Sequence, residues 1–284
     1  MISVITSAYK GNRYLPKLLD MLEENTMRLQ EEYPSLQVEY LLINDSPWEP
    51  FALPEQLQRH YDLRVMDNPE NYGIHKSRAR GIREARGTHI CILDQDDEIM
   101  PDFLLSQFRA LGDGEMVVCN GIKEFDTHTK PIYRDGLKMS LINCKLCYLK
   151  AANQIVSPGQ CMIRKDAIPA AWLDNPQVVN GSDDLFLWLL MLDKGIRFVK
   201  NHDSLYVHKQ VGSNLSNSLK AMYDSDLEMC NLLREKKLLP EKDIARRERM
   251  CAFVKLCGYK NRPTVKAILR YPDVLITKLL AYFI

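Results

Sequence analysis

The first 120 residues alternate between two hydrophobic periods. Five short apolar runs, at 2–7 (ISVITS), 38–44 (VEYLLIN), 63–67 (LRVMD), 89–94 (HICILD) and 115–120 (EMVVCN), are rich in aliphatic and β-branched side chains and predict strands. Between the first two, Leu15, Leu18, Leu19, Leu22 and Leu29 recur near helical spacing over 14–30, with Pro16 tolerated in the first turn. A second, basic helix is expected over 74–87, stopping at Gly87, and a third from Pro101 to near Gly112. Strands alternating with helices in this way are the mark of βαβ units and a mostly parallel sheet.

Beyond residue 120 the pattern loosens. The stretch DTHTKPIYRDG predicts a loop or hairpin, and 137–158 a helix followed by a turn at Ser157-Pro158-Gly159. Residues 159–168 read as a strand entering a helix, and 181–195 as a helix with an acidic start, which suits the helix dipole, and a closing glycine. Short strands are expected at 196–200 and 204–209, and the chain after Ser213 is helical and basic. The expected organisation is one α/β domain over 1–215 followed by a basic helical extension over 216–284.

With 284 residues and 46% hydrophobic content the chain has ample material for a core, which excludes a disordered protein. Lys+Arg (38) and Asp+Glu (37) nearly cancel, so the chain lacks the overall basic footprint of a nucleic-acid binder. The balance conceals an asymmetry: residues 234–278 carry 13 Lys+Arg against 5 Asp+Glu. Eight scattered cysteines, among them Cys91 and Cys119 in apolar runs, suit reduced core thiols; Cys144 and Cys147 form one CxxC with no second pair at metal spacing. Met1 runs directly into a strand-like segment without a signal-peptide pattern, so the body is expected to be cytoplasmic. The longest apolar run, VLITKLLAYFI, is short and interrupted by Lys278, below the ~18–20 residues of a membrane span.

The sharpest chemical feature is LDQDDE at 93–98, where an apolar strand ends in Asp94, Asp96 and Asp97. Open α/β sheets place ligands at the carboxyl ends of strands. Three acids there repel one another unless a cation offsets them, and hard oxygen ligands suit Mg²⁺ or Mn²⁺ bridging a diphosphate. The alternative is a solvated turn preceding the helix that starts at Pro101.

The company this turn keeps bears on the choice. ISVITSAYKGNRYL, LLINDSP, NPENYGIHKSRARGI and the Asp94-Gln95-Asp96 element follow in that order, and over roughly residues 1–213 the chain resembles a family 2 glycosyltransferase of the non-processive kind that builds bacterial surface polysaccharides. The resemblance implies an α/β GT-A nucleotide-diphospho-sugar transferase domain. It puts Ala8 and Tyr9 beside the nucleotide base, Asp45 on the base edge, Arg78 on the donor, Asp94 on the ribose side and Asp96 on a Mn²⁺ or Mg²⁺ ion. The turn reads Asn44-Asp45-Ser46-Pro47 where the family usually has Asp-Asp-Gly-Ser, and Ala79 replaces an Asn. Lys76, Arg80 and Arg83 add charge that suits a diphosphate or simply form the polar face of a helix.

A second constellation is Gly181-Ser182-Asp183-Asp184. Matching Trp188 to the family's aromatic puts Asp184 on the general base that activates the acceptor hydroxyl, giving inversion, and Asp183 on a flanking, acceptor-side acid. Ser182 or Asp183 can equally be a helix cap. A third is Tyr206-Val207-His208 with Ser213 and Ser216, resembling the ending of the catalytic domain, where His208 completes the metal site. His75 and His89 carry no such match.

The function implied is transfer of a sugar from a nucleotide-diphosphate donor, UDP favoured, to a glycan or polyprenyl-linked acceptor. No nucleic-acid partner is expected; a homo-oligomer is compatible. The basic tail suits either a helical appendage or a peripheral contact with the inner face of the cell membrane. A processive synthase would add membrane helices and a Gln-x-x-Arg-Trp motif, a sugar nucleotidyltransferase a Gly-rich first loop, and an NAD dehydrogenase GxGxxG; none occurs in the sequence. The rival from another class is a non-catalytic, glycosyltransferase-like subunit acting as a binding or scaffold partner.

Overall fold

A computed structural model describes residues 1–53, 59–210, 217–260 and 262–284. They fall into two compact units, one of 1–133, 156–168 and 197–210, the other of 134–155, 169–196 and 211–284.

The first unit is built on a nine-stranded sheet in the order β3-β2-β1-β4-β8-β6-β9-β5, with β7 beside β6. Its strands are β1 (Ile2–Ala8), β2 (Val38–Asn44), β3 (Asp62–Asp67), β4 (His89–Ile92), β5 (Glu98–Ile99), β6 (Met116–Phe125), β7 (His128–Pro131), β8 (Cys161–Arg164) and β9 (Val199–Lys209). Helices α1 (Leu15–Glu32), α2 (Ile74–Glu84) and α3 (Phe103–Leu111) join them. The run β3-β2-β1-β4 is parallel, with Ala8 opposite Asn44 and Asn44 opposite Asp67. The segments following these strands therefore leave from one edge of the sheet, the edge where such sheets bind ligands.

Every residue of β2 is buried, which is why its sequence reads as an almost continuous apolar run rather than an alternating one. Its one acid, Glu39, accepts hydrogen bonds from Ser3 Oγ (2.5 Å), Gly87 N (3.2 Å) and Arg64 Nη1 (3.1 Å). Burial would raise its pKa, but the bonds from Ser3, Arg86 N–H, Arg64 and Gly87 outweigh that and hold it below the ordinary glutamate value.

Four expectations are revised. The helix over 74–87 ends at Glu84; Gly87 is instead a point of close approach, where a Cβ would meet Ser3 Oγ at 2.4 Å and Met1 O at 2.8 Å. The strand at 115–120 continues to Phe125 and turns back into β7 as a hairpin. The separate strands at 196–200 and 204–209 are one strand, β9. The polar residues 201–203 between the two expected runs are carried by irregular pairing with β6 around Cys119–Gly121, and buried Asn201 donates to Gln107 Oε1 (3.1 Å) and Ser106 Oγ (2.9 Å). The helix expected over 137–158 is broken into α4 (Gly136–Ser140), a 3₁₀ turn at Leu141–Asn143 and α5 (Lys145–Lys150).

The second unit is helical: after α4 and α5 come α6 (Ala170–Asp174), α7 (Asp183–Asp193), α8 (Leu219–Glu235), α9 (Glu241–Leu256), α10 (Val265–Arg270) and α11 (Pro272–Phe283). Leu185 through Met191 of α7 are all buried, as an all-round apolar helix must be. The tail does not stand apart as a division at 215 implies; residues 134–155 and 169–196 join it in one unit. Much of its charge is internally paired. Arg247 Nη2 meets Asp226, Arg247 Nη1 donates to Tyr148 O (2.8 Å), Lys145 bridges Asp193 and Asp243 (both 2.6 Å), and Asp273 binds Lys150 (2.7 Å) and Arg249 (2.6 Å).

The irregular β6–β9 pairing has a specific dependence. A Cβ on Gly121 would lie 2.2 Å from the Tyr206 carbonyl oxygen, so Gly121→Ala must push the two strands apart. We expect it to destabilise the chain by about 1–3 kcal/mol, read as a lowered urea midpoint with unchanged m-value.

Candidate active site

The β1 end carries the nucleotide-side residues. Ala8 is fully buried, and its carbonyl accepts the Asp45 amide at 2.8 Å, so it contributes backbone rather than side chain. Tyr9 is 45% exposed and Trp48 60% exposed, and their rings meet edge to face with centroids 6.1 Å apart. The backbone between them is pinned. Gln95 accepts from Tyr9 N (3.0 Å) and donates back to Tyr9 O (3.2 Å), while Lys10, in the left-handed region at φ 50°, donates its amide to Ser46 Oγ (2.7 Å). A lysine held there is locally strained, a feature that clusters at ligand sites. Trp48 lies one residue past the LLINDSP motif, and the signal for it was a lone aromatic directly after a strand-end turn.

Asp45 is nearly buried and spends its carboxylate on the chain itself. Oδ1 accepts from Asn68 Nδ2 and Tyr72 N (both 2.7 Å), and Oδ2 from Gly73 N (3.0 Å). Its position thus fixes the loop leading into α2. Arg80, just past the middle of that helix, donates to Asp67 O (2.8 Å) and Asn68 Oδ1 (2.5 Å), so it too holds the loop. Lys76 lies 3.4 Å over the Tyr72 ring, and Arg83 is exposed.

The acidic turn after β4 separates its three carboxylates. Asp94 pairs with the buried Arg78 guanidinium and accepts from Ser157 Oγ at 3.1 Å. Asp97 is buried and receives Tyr206 OH and Lys209 N (3.0 Å), with His208 Nδ1 3.2 Å away. Asp96 is left as the uncompensated member. Burial first, then the charges of Asp97 and Asp94, raise its pKa to about 6, with His208 opposing. Ser157 is not among the residues that the sequence singles out for this site, because its distance along the chain carries no local signal; Tyr206 is singled out only beside His208, without its bond to Asp97.

Among the described residues no three His, Cys, Asp or Glu side chains converge as a ready-made cage for a metal ion. His208 faces Asp97 rather than forming such a cage with Asp96. The donor set nonetheless fits a Mg²⁺-like ion in one respect: such ions are commonly held by one or two carboxylates together with substrate phosphates, and Asp96 is a carboxylate whose charge its neighbours disfavour.

In the second unit, Asp184 Oδ2 accepts from Asn153 Nδ2 at 2.6 Å, while Asp183 is buried and its carbonyl accepts Trp172 Nε1 at 2.7 Å. Ser182 occupies the N-cap position of α7 without capping it; its hydroxyl donates to Asp226 Oδ1 at 2.6 Å. Trp188 is fully buried. Ser213 and Ser216 lie outside the described residues. His75 is buried, and His89 packs edge to face on Phe108 (5.3 Å), burial lowering its pKa. Cys144 and Cys147 have their sulfurs 3.0 Å apart, with burial and the neighbouring thiol pushing Cys147 up to about 12.

The profile described as glycosyl transferase family 2 matches residues 3–170, more than half of the chain. The chain is 28% identical over 153 residues to EpsH of Bacillus subtilis (strain 168), named as a glycosyltransferase, a stretch covering 53% of this chain and 42% of EpsH. It is also 28% identical over 102 residues to an uncharacterized glycosyltransferase of Haemophilus influenzae, covering 36% of this chain and 31% of that protein. The alignments thus span less than half of either relative. Among solved structures, S. aureus TarS 1-349 in complex with UDP-GlcNAc is similar at TM-score 0.59 and 15% identity, over 99% of this chain and 81% of that one. A mannosyltransferase, PcManGT from Pyrobaculum calidifontis in complex with GDP-Man and Mn²⁺, is similar at TM-score 0.51 and 14% identity, over 99% and 73%. At these identities the structural likeness is one of fold. The α/β sheet with its flanking helices is the expected GT-A arrangement, and the chain belongs to glycosyl transferase family 2.

Proposed function

We propose that the chain is a metal-dependent, inverting, single-addition glycosyltransferase that moves a sugar from a nucleotide-diphosphate donor to a hydroxyl of a surface glycan or lipid-linked oligosaccharide. The observation that carries this is the content of one sheet edge: an exposed Tyr9–Trp48 pair, the Arg78–Asp94 pair and an under-compensated Asp96. The aromatic pair offers a base a stacking surface. Arg78 orients Asp94 toward the ribose side, and Gln95 ties the acidic turn to the Tyr9 backbone, so base and sugar ends of a donor meet one rigid frame. UDP is the favoured carrier, in keeping with the family resemblance.

A bound Mn²⁺ or Mg²⁺, held by Asp96 with His208 nearby, would supply positive charge to the diphosphate of the donor. Asp184, oriented by Asn153, is assigned the general base: it takes the proton of the acceptor hydroxyl. The acceptor oxygen then bonds to the anomeric carbon, the bond to the diphosphate oxygen breaks, and that oxygen keeps the electron pair. Attack opposite the leaving group inverts the carbon. Asp183 keeps its assignment as the flanking, acceptor-side acid; it is buried, and its carbonyl ties the start of α7 to Trp172.

No helix of the described residues is long and apolar enough to cross a membrane. Helix α11 does expose an apolar stripe of Ile276, Leu279, Leu280 and Phe283 at i, i+3, i+4 and i+7. That stripe, beside a basic tail, supports peripheral contact with the inner face of the cell membrane.

The first test is calorimetric titration of UDP with and without Mn²⁺, followed by a panel of UDP-sugars assayed for slow donor hydrolysis. Metal-dependent binding and hydrolysis of one donor are expected. No binding of UDP, GDP or dTDP would replace the enzyme with the non-catalytic subunit. Asp184→Asn should lower transfer by about 10²–10⁴-fold with donor affinity unchanged, and retained turnover would remove the base assignment. The raised pKa of Asp96 sets a pH dependence: below about 6 the carboxyl is protonated and must lose its proton to hold the ion. Mn²⁺-dependent affinity for the intact UDP-sugar that the panel identifies as donor, a diphosphate diester with no proton of its own near pH 6, should fall up to about tenfold per pH unit below that point and level off above it. A flat profile between pH 5 and 7 would remove Asp96 from the metal role.

A further inference from the structure

The second unit contains a cavity of about 530 Å³ whose walls come from α7, α8, α9 and α11 and the segments that join them. Its size is that of a small-molecule site. Met222, Met250, Phe253 and Leu275 make an apolar wall, and Asp184 lines the same cavity. Two features separate it from an ordinary packing defect. One is charge. Lys278 lines the cavity, and among the described residues its ammonium has neither an ion pair nor a hydrogen bond, only the Phe253 ring 5.9 Å away. Of the other cations that line it, Arg247 is spent on Asp226 and the Tyr148 carbonyl, while Lys260 is exposed at the surface rather than half-buried like Lys278. Burial, and then the charge of Arg247, lower the Lys278 pKa. An ammonium in an apolar wall without a counter-charge is costly, and an anion at the same place removes the cost.

The second feature is continuity. Leu279 lines the cavity and also belongs to the exposed stripe of α11, and Tyr282, another lining residue, is exposed. The apolar surface therefore runs from the outside of α11 into the cavity, a form that suits a chain entering from a hydrocarbon phase. The polar lining residues, Asn153 and Asp184 among them, leave room for hydroxyls beside this apolar wall.

We propose that this cavity holds the hydrocarbon chain of an amphiphilic acceptor, with the phosphate at the head of that chain neutralised by Lys278 and its sugar hydroxyls beside Asp184. The proposal rests on the glycosyltransferase reading for the word acceptor, and on the cavity alone for the binding of an alkyl phosphate. It names the acceptor class that sequence left open between a free glycan and a lipid-linked one. Lys278 is a binding residue, and Leu275 and Met250 fix how much chain is admitted.

The probe is dodecyl phosphate, titrated calorimetrically into the full chain below its micelle concentration, with dodecanol and inorganic phosphate as controls. Dodecyl phosphate should bind. Lys278→Met should weaken it about tenfold or more, since a hydrogen-bonded charge pair is commonly worth that much, while dodecanol binding is unchanged. Leu275→Trp, which fills the cavity, should abolish both. Because that variant can fail to fold, Met222→Phe is the milder partner, and thermal denaturation and UDP binding report whether either is intact. A second arm compares dodecyl-phosphate-linked monosaccharides with the free monosaccharides as acceptors for the UDP-sugar that the panel identifies as donor. The chain-bearing series should be used at least about tenfold better, an advantage that folded cavity-filling variants lose while donor hydrolysis persists. No binding of dodecyl phosphate, binding untouched by Lys278→Met and by cavity filling, or equal use of both acceptor series would each overturn the proposal. If the chain neither binds nor hydrolyses any donor, it is the enzyme reading that fails, and the binding arm still decides whether the cavity takes an alkyl phosphate.

Discussion

Three carboxylates on one four-residue turn are the constraint around which the first unit is arranged. Asp94, Asp96 and Asp97 follow a parallel strand into a partly dehydrated edge, where like charges at such short range destabilise the fold unless each finds a partner. The chain meets this from distant segments. Arg78 arrives on α2 and Ser157 from the turn before β8, both onto Asp94; Tyr206, His208 and the Lys209 amide arrive on β9, all onto Asp97. The sheet order that sets β9 beside both β6 and β5 brings that last group to the turn. Asp96, with its pKa raised to about 6, is what remains after this partitioning. The fold thus gives two of the three acids close partners and leaves the third with the least compensation.

The same accounting distinguishes the second unit. Several of its buried or half-buried charges are paired between helices, Asp226 with Arg247, Asp243 with Lys145 and Asp273 with Lys150 and Arg249, and Asp243 also meets Arg246 within α9. The basic tail therefore owes part of its composition to internal bridging rather than to an external anion. Against that background Lys278 stands out, since burial depresses its ammonium and no carboxylate among the described residues answers it. Pairing elsewhere is what gives this one cation its meaning.

Much of the framework was legible from periodicity. β1, β2 and β3 lie within a residue of the expected runs; β1 and β2, buried almost throughout, carry nearly uninterrupted apolar sequence, while β3 is a partly exposed edge strand. The reading failed where side chains replace the usual punctuation. Residues 201–203 fall between two expected runs, yet Asn201 buries its amide on α3 and lets β9 continue. Gly87 looks like a helix end, yet it serves the approach of backbone to Ser3. At the site, strand-end acids were visible because they are contiguous. Trp48 and Ser157 were not, because they act through contacts that only the folded chain creates.

The altered turn at 44–47 shows how a departure from a family pattern can be a local necessity. Asn44 stands opposite Asp67 in the β2–β3 register, and its buried amide donates to Asp67 Oδ1 (2.9 Å) and Glu49 O (3.1 Å) while accepting from Ser46 N (2.9 Å). An aspartate at 44 has no proton to donate, so it would turn a buried carboxylate toward Asp67 and leave the Glu49 carbonyl without this donor. Given Asp67, asparagine is the side chain of that shape that satisfies all three partners. Asp45 keeps both oxygens on the Asn68–Gly73 loop, and Ser46 holds the Lys10 amide, so the turn still sets the β1 loop against the start of α2. The substitution therefore follows from a neighbouring acid on β3 and leaves intact the frame that presents Tyr9 and Trp48.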